Sequence, residues 1–552
     1  MKKYIYTLLI LTPILSFSQK KEGEITSEEI NIDKERKIEL PVVSRIFQKI
    51  PVQTNTQKEV IKYSFTERKL PITLNITSPS VIMPRVNEED EINLNKYDNF
   101  VSAGLGNYAH TFFEAHATLR PSDEVIHGVH FKHDGNRFGP PDANTALGRS
   151  QNLLNIYSKT NLYYINLAGK IGWERRSTHF YGSQPKNYNI KEDTIRQNWN
   201  KIYFSGEITN ARQNSRVDFT AKTNFSFLTS KLKNKETLSN SYLNFTLPIN
   251  DNFAAMLDGE INLSQFVSKV SANRYLFKAK PSFNYKNDYL NASLGLNIIN
   301  DKDNALSLNK TYLYPTFNLD IRPLENIHIF AGYDADIKMN TYTSMILENP
   351  WLDYNLTLRN TRKPNEIYVG SKGLLENGIG FDVKLSYSNF NNFYVINGSM
   401  SDSIKFDIFY APDSVKVKVT NLTGNLHYQI AKRWRSNLKI DYSIFGKLSS
   451  LNEAYHRPNF QATFSNTLSF KEKIFITSDI FYVVGLKGRN NVTDKEVSLP
   501  NIFDVNFKIN YLFSDKFSGF VNLNNLTGKT YQQYLYYQQQ GVNFLAGLSY
   551  SF

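Results

Sequence analysis

Val217-Asp218-Phe219-Thr220-Ala221-Lys222-Thr223-Asn224-Phe225-Ser226-Phe227 alternates with a period of two. Positions 217, 219, 221, 223, 225 and 227 are mostly apolar or aromatic, and those between them carry carboxylate, hydroxyl, amine and amide groups. Successive side chains of a strand point to opposite faces, so this stretch is a strand with one hydrocarbon face and one polar face. The same reading applies to Leu290, Ala292, Leu294, Leu296 and Ile298 against Asn291, Ser293, Gly295 and Asn297. It applies again to Phe503, Val505, Phe507, Ile509, Tyr511 and Phe513 against Asp504, Asn506, Lys508 and Asn510.

Alternation alone fits a soluble sandwich as well as a membrane barrel, and the punctuation between strands decides. One set of connections is very short: 121–123, 159–161, 212–214, 249–251, 286–288, 324–326, 376–378, 431–433, 471–473 and 514–516. The intervening set is longer and more varied, including 134–148, 175–197, 342–354, 397–414 and 487–496. Tight turns on one rim and long loops on the other form the asymmetry of a bacterial transmembrane barrel. Ten tight turns with both chain ends on the same rim predict about 22 antiparallel strands. Residues 96–552 then supply about 21 residues per strand with its share of connection, ample for the roughly 9 to 11 needed to cross a bilayer. Closure also removes the sheet edges that a bilayer does not tolerate.

The remaining composition agrees. The 552 residues include no cysteine, 34 Tyr, 38 Phe and 4 Trp, with 64 Lys+Arg against 51 Asp+Glu for a net charge of +13. A mean hydropathy of -0.42 and the lack of a ~20-residue apolar run exclude a helical membrane protein. Lys2-Lys3, the apolar run 4–15 and Ser16-Phe17-Ser18 have the order of a secretory signal peptide, predicting cleavage after residue 18. Residues 19–95 carry a charged opening and Pro41, Pro51, Pro71, Pro79 and Pro84 among short extended runs, which predicts an extended periplasmic or lumenal arm. Tyr163, Tyr164, Phe475 and Tyr511 near strand ends are suited to aromatic interface girdles.

The last strand alternates Val542, Phe544, Ala546, Leu548, Tyr550 and Phe552 with smaller or polar residues and stops on an aromatic. With the runs 504–511 and Val521-Asn522-Leu523-Asn524-Asn525-Leu526-Thr527-Gly528-Lys529-Thr530-Tyr531, this end resembles the closing strands of TonB-dependent receptors, especially those of Bacteroidetes. The resemblance is specific over about 50 residues and implies a 22-stranded receptor-type barrel in the outer membrane. It also implies that the terminal strand engages the barrel-assembly machinery. The family carries a folded plug of well over a hundred residues before its barrel, whereas residues 19–97 show no plug-like Arg-Gly signature. The expectation is therefore a receptor, transport or pore barrel without a full plug; a scaffold barrel of a larger assembly is the other reading. Its lumen is filled by the arm, by inward-folded loops or by a lumenal or periplasmic partner protein, or else it conducts.

Other motifs carry little chemistry. Gly528-Lys529-Thr530 ends like a phosphate-binding loop, but Leu523 stands where the first glycine belongs and no helix-forming run follows. His127 and His130 fall on opposite faces of a strand, while His127 and His133 share a face ~20 Å apart; with His110 and His116 they read as solvated or lumenal histidines, not a metal site. Tyr531-Gln532-Gln533-Tyr534-Leu535-Tyr536-Tyr537-Gln538-Gln539-Gln540 reads as a surface hairpin with its tyrosines in the outer interface belt, or as a sugar- or protein-binding loop. Arg175-Arg176, Lys432-Arg433 and Lys487 to Arg489 are expected against lipid and lipopolysaccharide phosphates or on the lumen, not on nucleic acid. No catalytic, cofactor-binding or metal-binding residue is assigned, and the chain is not expected to be an enzyme.

Overall fold

A computed structural model describes residues 99–140, 147–182, 192–210, 217–269, 271–375, 378–400, 402–430, 433–448, 451–490 and 493–552. The signal peptide of residues 1–18 and the arm of residues 19–95 lie outside them, so both remain sequence expectations.

Within the described residues, 22 strands form one antiparallel sheet. The sheet closes on itself: Phe100–Gly106, the first strand, pairs with Asn543–Ser551, the last, in the register Phe100↔Ser551 to Gly106↔Leu545. Both chain ends of the barrel therefore lie on one rim. Ten connections of two to seven residues share that rim, at the ten places the sequence suggests. The main offset is at the second of them, where the strand Ser150–Asn161 runs on and the turn falls at 162–164 instead of 159–161. The other rim carries connections of three to 25 residues.

Alternation sorts the two faces. Phe225, Phe227, Leu294, Leu296, Phe503, Tyr511, Phe544, Leu548 and Tyr550 are exposed on the outside, as their period predicts. Such a band of exposed apolar side chains is unstable in water and is stabilised by lipid. At the tight-turn rim it ends in rings: Tyr163 packs edge-on against Tyr164 at 4.7 Å, Phe253 lies 4.9 Å from Tyr285, Tyr511 lies 4.9 Å from Phe513, and Tyr550 stacks on Phe552 at 5.9 Å. This is the predicted girdle on that rim.

The lumenal face follows a second rule. Six inward-facing glycines sit directly across the ladder from an inward-facing ring: Gly128↔Tyr157, Gly172↔Tyr203, Gly332↔Tyr368, Gly370↔Phe330, Gly380↔His427 and Gly547↔Phe520. In each pair the ring occupies the space that a Cβ on the glycine would take. The ring therefore lies down against the wall, packing on bare backbone, which offsets the weak strand propensity of glycine.

The wall departs from a continuous ladder at one place. The strand Leu308–Leu324 pairs with Leu290–Asp303 along the length of the latter, but with Ile327–Lys338 only from Phe317↔Tyr333 toward the tight-turn rim.

Candidate functional site

The long connections fold inward into a dome with its own hydrophobic core. Three of them, 180–195, 339–360 and 525–542, follow the fifth, thirteenth and twenty-first of the 22 strands. Segments rooted so far apart around a closed wall meet only by crossing its mouth. They meet through three rings: Tyr181, Trp351 and Tyr537 lie with centroids 5.9, 4.1 and 4.8 Å apart in the three pairs. The contacts are locked by polar atoms. Tyr181 Oη donates to the Gln538 carbonyl at 2.9 Å, Trp351 Nε1 to the His179 carbonyl at 3.0 Å, and Tyr537 Oη to the Ile404 carbonyl at 2.5 Å. Gly182 is pressed against the Tyr537 ring, where a Cβ has no room.

A short helix, Tyr342–Glu348, forms one flank of the dome. Thr341 caps it, accepting from Ser344 N at 3.1 Å, while Ser344 Oγ accepts from Thr341 N at 3.0 Å. Glu236, from the wall strand Lys235–Pro248, accepts from Tyr342 N and Thr343 N at 2.7 Å each and from Thr343 Oγ1 at 2.8 Å. A carboxylate is favoured at a helix start because the first amide donors have no partner within the helix. Phe266 stacks on Tyr342 at 5.1 Å and Trp199 Nε1 donates to Tyr342 Oη at 3.3 Å, so the helix is held to the wall by both polar and apolar contacts.

A buried network ties the helix to two further loops. Tyr394 Oη donates to Glu348 Oε2 at 2.6 Å, and Arg457 Nη2 lies 3.6 Å from Glu348 Oε1 while donating to the Tyr394 carbonyl at 3.0 Å. Burial works against the Arg457 cation, but Glu348 and Tyr394 outweigh it and raise its pKa. The Tyr394 phenol is also raised, by burial first and then by Glu348. His456 bridges two loops: Nδ1 is 2.7 Å from the Ile396 carbonyl and Nε2 accepts from Leu535 N at 3.1 Å. Nδ1 therefore carries the proton and the ring is neutral. Burial lowers its pKa to about 4.

Beneath the dome the lumenal wall is polar and largely self-neutralised. Lys372 lies 3.1 Å from Asp320, whose other oxygen is 2.7 Å from His328, and Lys384 lies 3.0 Å from Glu366. Lys222 and Glu207 are 2.9 Å apart. The grouped histidines join this surface: His110 bonds Asp134 at 2.9 Å, His130 bonds Glu114 at 2.8 Å and His116 meets Tyr157 Oη at 2.9 Å. His127 and His130 do lie on opposite faces, His127 being exposed on the outside; outward His133 is held by Thr111 at 2.9 Å and Asn152 at 2.7 Å. Among the described residues no group of three or more acidic or histidine side chains is placed to hold a metal.

Two sequence expectations are corrected. Residues 531–540 are neither an interface belt nor a surface loop: Tyr531, Tyr534, Leu535 and Tyr537 are buried in the dome, where rings from several loops displace water from one another. The basic groups also divide. Lys487 pairs with Glu453 and Arg489 with Asp494, within the dome, and Arg176 pairs with Glu174 at 2.5 Å on the lumenal side. Arg175 and Arg433 are exposed, and Lys432 lies outside the described residues. The Asn-Leu motif has a structural task. Asn525, in the left-handed region at φ 50°, donates from Nδ2 to the Lys529 and Gln540 carbonyls at 2.9 and 2.8 Å, fastening both ends of the last loop. Gly528-Lys529-Thr530 belongs to that loop, with no helix after it.

Sequence reasoning offers inward-folded loops as one filling of the lumen but does not identify the dome's contacts, because its partners are scattered. Glu236 and Thr343, or His179 and Trp351, are separated by 107 and 172 positions. The available signal was the density of Tyr, Trp and Phe within the long connections, too apolar for solvated loops.

No protein-family model matches the sequence, and no curated protein does. Solved structures share the fold at low identity. The FrpB iron transporter from Neisseria meningitidis superposes with a TM-score of 0.64 at 10% identity, covering 83% of this chain and 83% of that one. The ferripyoverdine receptor of the outer membrane of Pseudomonas aeruginosa, bound to ferripyoverdine, gives 0.59 at 12% identity over 83% and 72%. A mutant ferric enterobactin receptor from Pseudomonas aeruginosa gives 0.60 at 11% identity over 82% and 80%. The chain shares with these receptors and this transporter the fold of a 22-stranded outer-membrane barrel.

Proposed function

We propose that this chain is an outer-membrane receptor or transport barrel of the TonB-dependent-receptor type, working without a full plug, whose outer mouth is gated by its own loops. The observation that carries this reading is the three-ring contact of Tyr181, Trp351 and Tyr537 across the mouth, above a lumenal wall that stays polar. Polar side chains line a water-filled path at low cost, whereas a permanently solid interior favours apolar ones. On this reading residues 1–18 are a cleaved signal peptide and residues 19–95 a periplasmic or lumenal arm.

Planar-bilayer recordings test it. Full-length protein is expected to be closed, and deletion of Gln19 to Val86 combined with Trp351→Ala is expected to conduct. Silence of that double change, with the barrel still heat-modifiable, defeats the gated-path reading and favours a scaffold barrel whose lumen is held by a partner protein. The same reading takes lipid and lipopolysaccharide as the outer neighbours of the wall, and the assembly machinery as the transient partner of the last strand. Phe552 is half exposed in the girdle and donates its backbone N–H to the Asn99 carbonyl at 3.0 Å. Phe552→Asp is expected to reduce heat-modifiable barrel in the outer membrane several-fold; undiminished levels defeat the assembly-signal role.

A further inference from the structure

Above Phe317↔Tyr333 the two strands that should be neighbours part company. Leu308–Leu324 stays in the wall, paired on one side with Leu290–Asp303 up to Asp303↔Leu308. The outer part of Ile327–Lys338 turns inward and lies on the lumenal side of the wall. Three contacts fix it there: Asn297 Nδ2 donates to the Ala335 carbonyl at 2.8 Å, Lys278 reaches Asp336 at 2.8 Å, and Lys280 reaches Asp334 at 3.6 Å. Asn297, Lys278 and Lys280 belong to the second and third strands away from it, so the sheet overlaps itself like a scroll. Its cause is local. Register shifts at Asp334/Asp336 and Arg362/Asn365 both place their extra residue on the next strand, within 362–366, so that strand bends there and its paired neighbour Ile327–Lys338 follows it inward.

The overlap leaves one edge of residues 308–316 without a ladder partner, over nine residues or roughly 30 Å. The outer end of this edge is water-facing: Asn309, Lys310 and Thr311 are exposed, and the outward apolar residues begin only at Leu313. Alternate main-chain N–H and C=O groups of a strand point to each side, so this edge offers a row of unmet donors and acceptors, a ready template for strand addition. Lys, bulges and proline are common means of blunting such an edge, and Lys310 and Pro315 are present here. Lys310 has no carboxylate at ion-pair distance among the described residues; its amine lies 5.4 Å over the Tyr312 ring, and its register partner Asp301 is buried and takes a hydrogen bond from Asn360 at 2.8 Å. Beside it Arg362 donates from Nη1 to Tyr312 Oη at 2.5 Å.

We propose that this edge, Leu308 to Thr316, docks an extended, acid-bearing peptide segment of a partner protein at the cell surface, by strand addition with a carboxylate set against Lys310. The cationic amine selects the acid, and the missing ladder supplies the main-chain bonds.

Hydrogen exchange on the full chain in detergent micelles tests this, with two nine-residue synthetic peptides as probes, one alternating Glu and Val and the other Lys and Val. Without peptide, alternate amides of 309–316 are expected to exchange at least ten-fold faster than those of 292–300, which apart from 296 and 297 are paired on both sides. The Glu peptide is expected to slow them at least ten-fold, the Lys peptide to have little effect, and Lys310→Glu to reverse that preference with the barrel still heat-modifiable. Asn309→Glu, a neighbouring exposed change, is expected to weaken the Glu peptide likewise. Amides of 309–316 as protected in the lone chain as those of 292–300 overturn the proposal. So do equal effects of the two peptides, or protection that rises with protein concentration, which assigns the edge to a second copy.

Discussion

The wall and the dome are built from the same residue types by opposite rules. In the wall each residue pairs with a neighbour in an adjacent strand, the apolar side chains face lipid, and the hydrogen bonds form a regular ladder. In the dome the apolar side chains face one another, the bonds run between side chain and main chain, and partners come from opposite sides of the barrel. The wall is therefore insensitive to most single side chains, because no one of them closes the ladder. The dome concentrates its stability in a few rings, as a soluble core does.

The largest separation of the two is expected from Trp351→Ala. A buried Trp→Ala change costs about 3 to 5 kcal/mol, here in the dome alone. Limited proteolysis should cut within 339–360 while heat-modifiability of the barrel persists; loss of both together breaks the distinction between the regions.

Acid sharpens it next. The folded pKa of His456, about 4, lies below its unfolded value near 6.5, so the fold prefers the neutral ring. Its contribution is fully present above pH 6.5 and is lost as pH falls from there to about 4, amounting to roughly 3 kcal/mol. Trp199 and Trp351 fluorescence should report dome loosening over that window, and His456→Gln should flatten the response. A response that persists unchanged in the variant places the titrating group elsewhere.

A smaller effect belongs to the lumenal side of the wall. Gly172→Ala is expected to cost about 1 to 3 kcal/mol, because the added methyl overlaps the Tyr203 ring and Asn155 Oδ1, which are packed against each other and must both shift. Tyr203→Ala combined with it should recover most of that loss in barrel melting temperature; additive losses would show that the pair does not act as a unit. The smallest is Leu294→Ala on the lipid face, expected at about 0.5 kcal/mol. A cost there comparable to that of Trp351 would contradict the division between wall and dome.

How much of this is legible in the sequence follows from the range of the contacts. A period of two is a local property, so Leu294, Phe503 and Phe544 declare their outward face without knowledge of their partners, and ten tight turns count the strands. The lumenal alternation places His127 and His130 on opposite faces for the same reason. The dome has no period. Tyr537 is unremarkable beside Gln538 until the loops after the fifth and thirteenth strands bring Tyr181 and Trp351 to it. Nor does sequence alone show that Lys487 and Arg489 are consumed by Glu453 and Asp494, since an ion pair depends on where loops land. The scroll is invisible for another reason: a bulge shifts register by one residue, and its two strands still read as ordinary alternation.

The six rings laid down on glycines bear on the bore of the barrel. A strand count fixes the circumference of a barrel, but the free cross-section inside depends on how far its side chains stand off the wall. Tyr157, Tyr203, Phe330, Tyr368, His427 and Phe520 would each take up lumenal space if raised, and the absence of one methyl group opposite each keeps it flat. Bore can thus be tuned one carbon at a time, without touching strand number, register or a single ladder hydrogen bond.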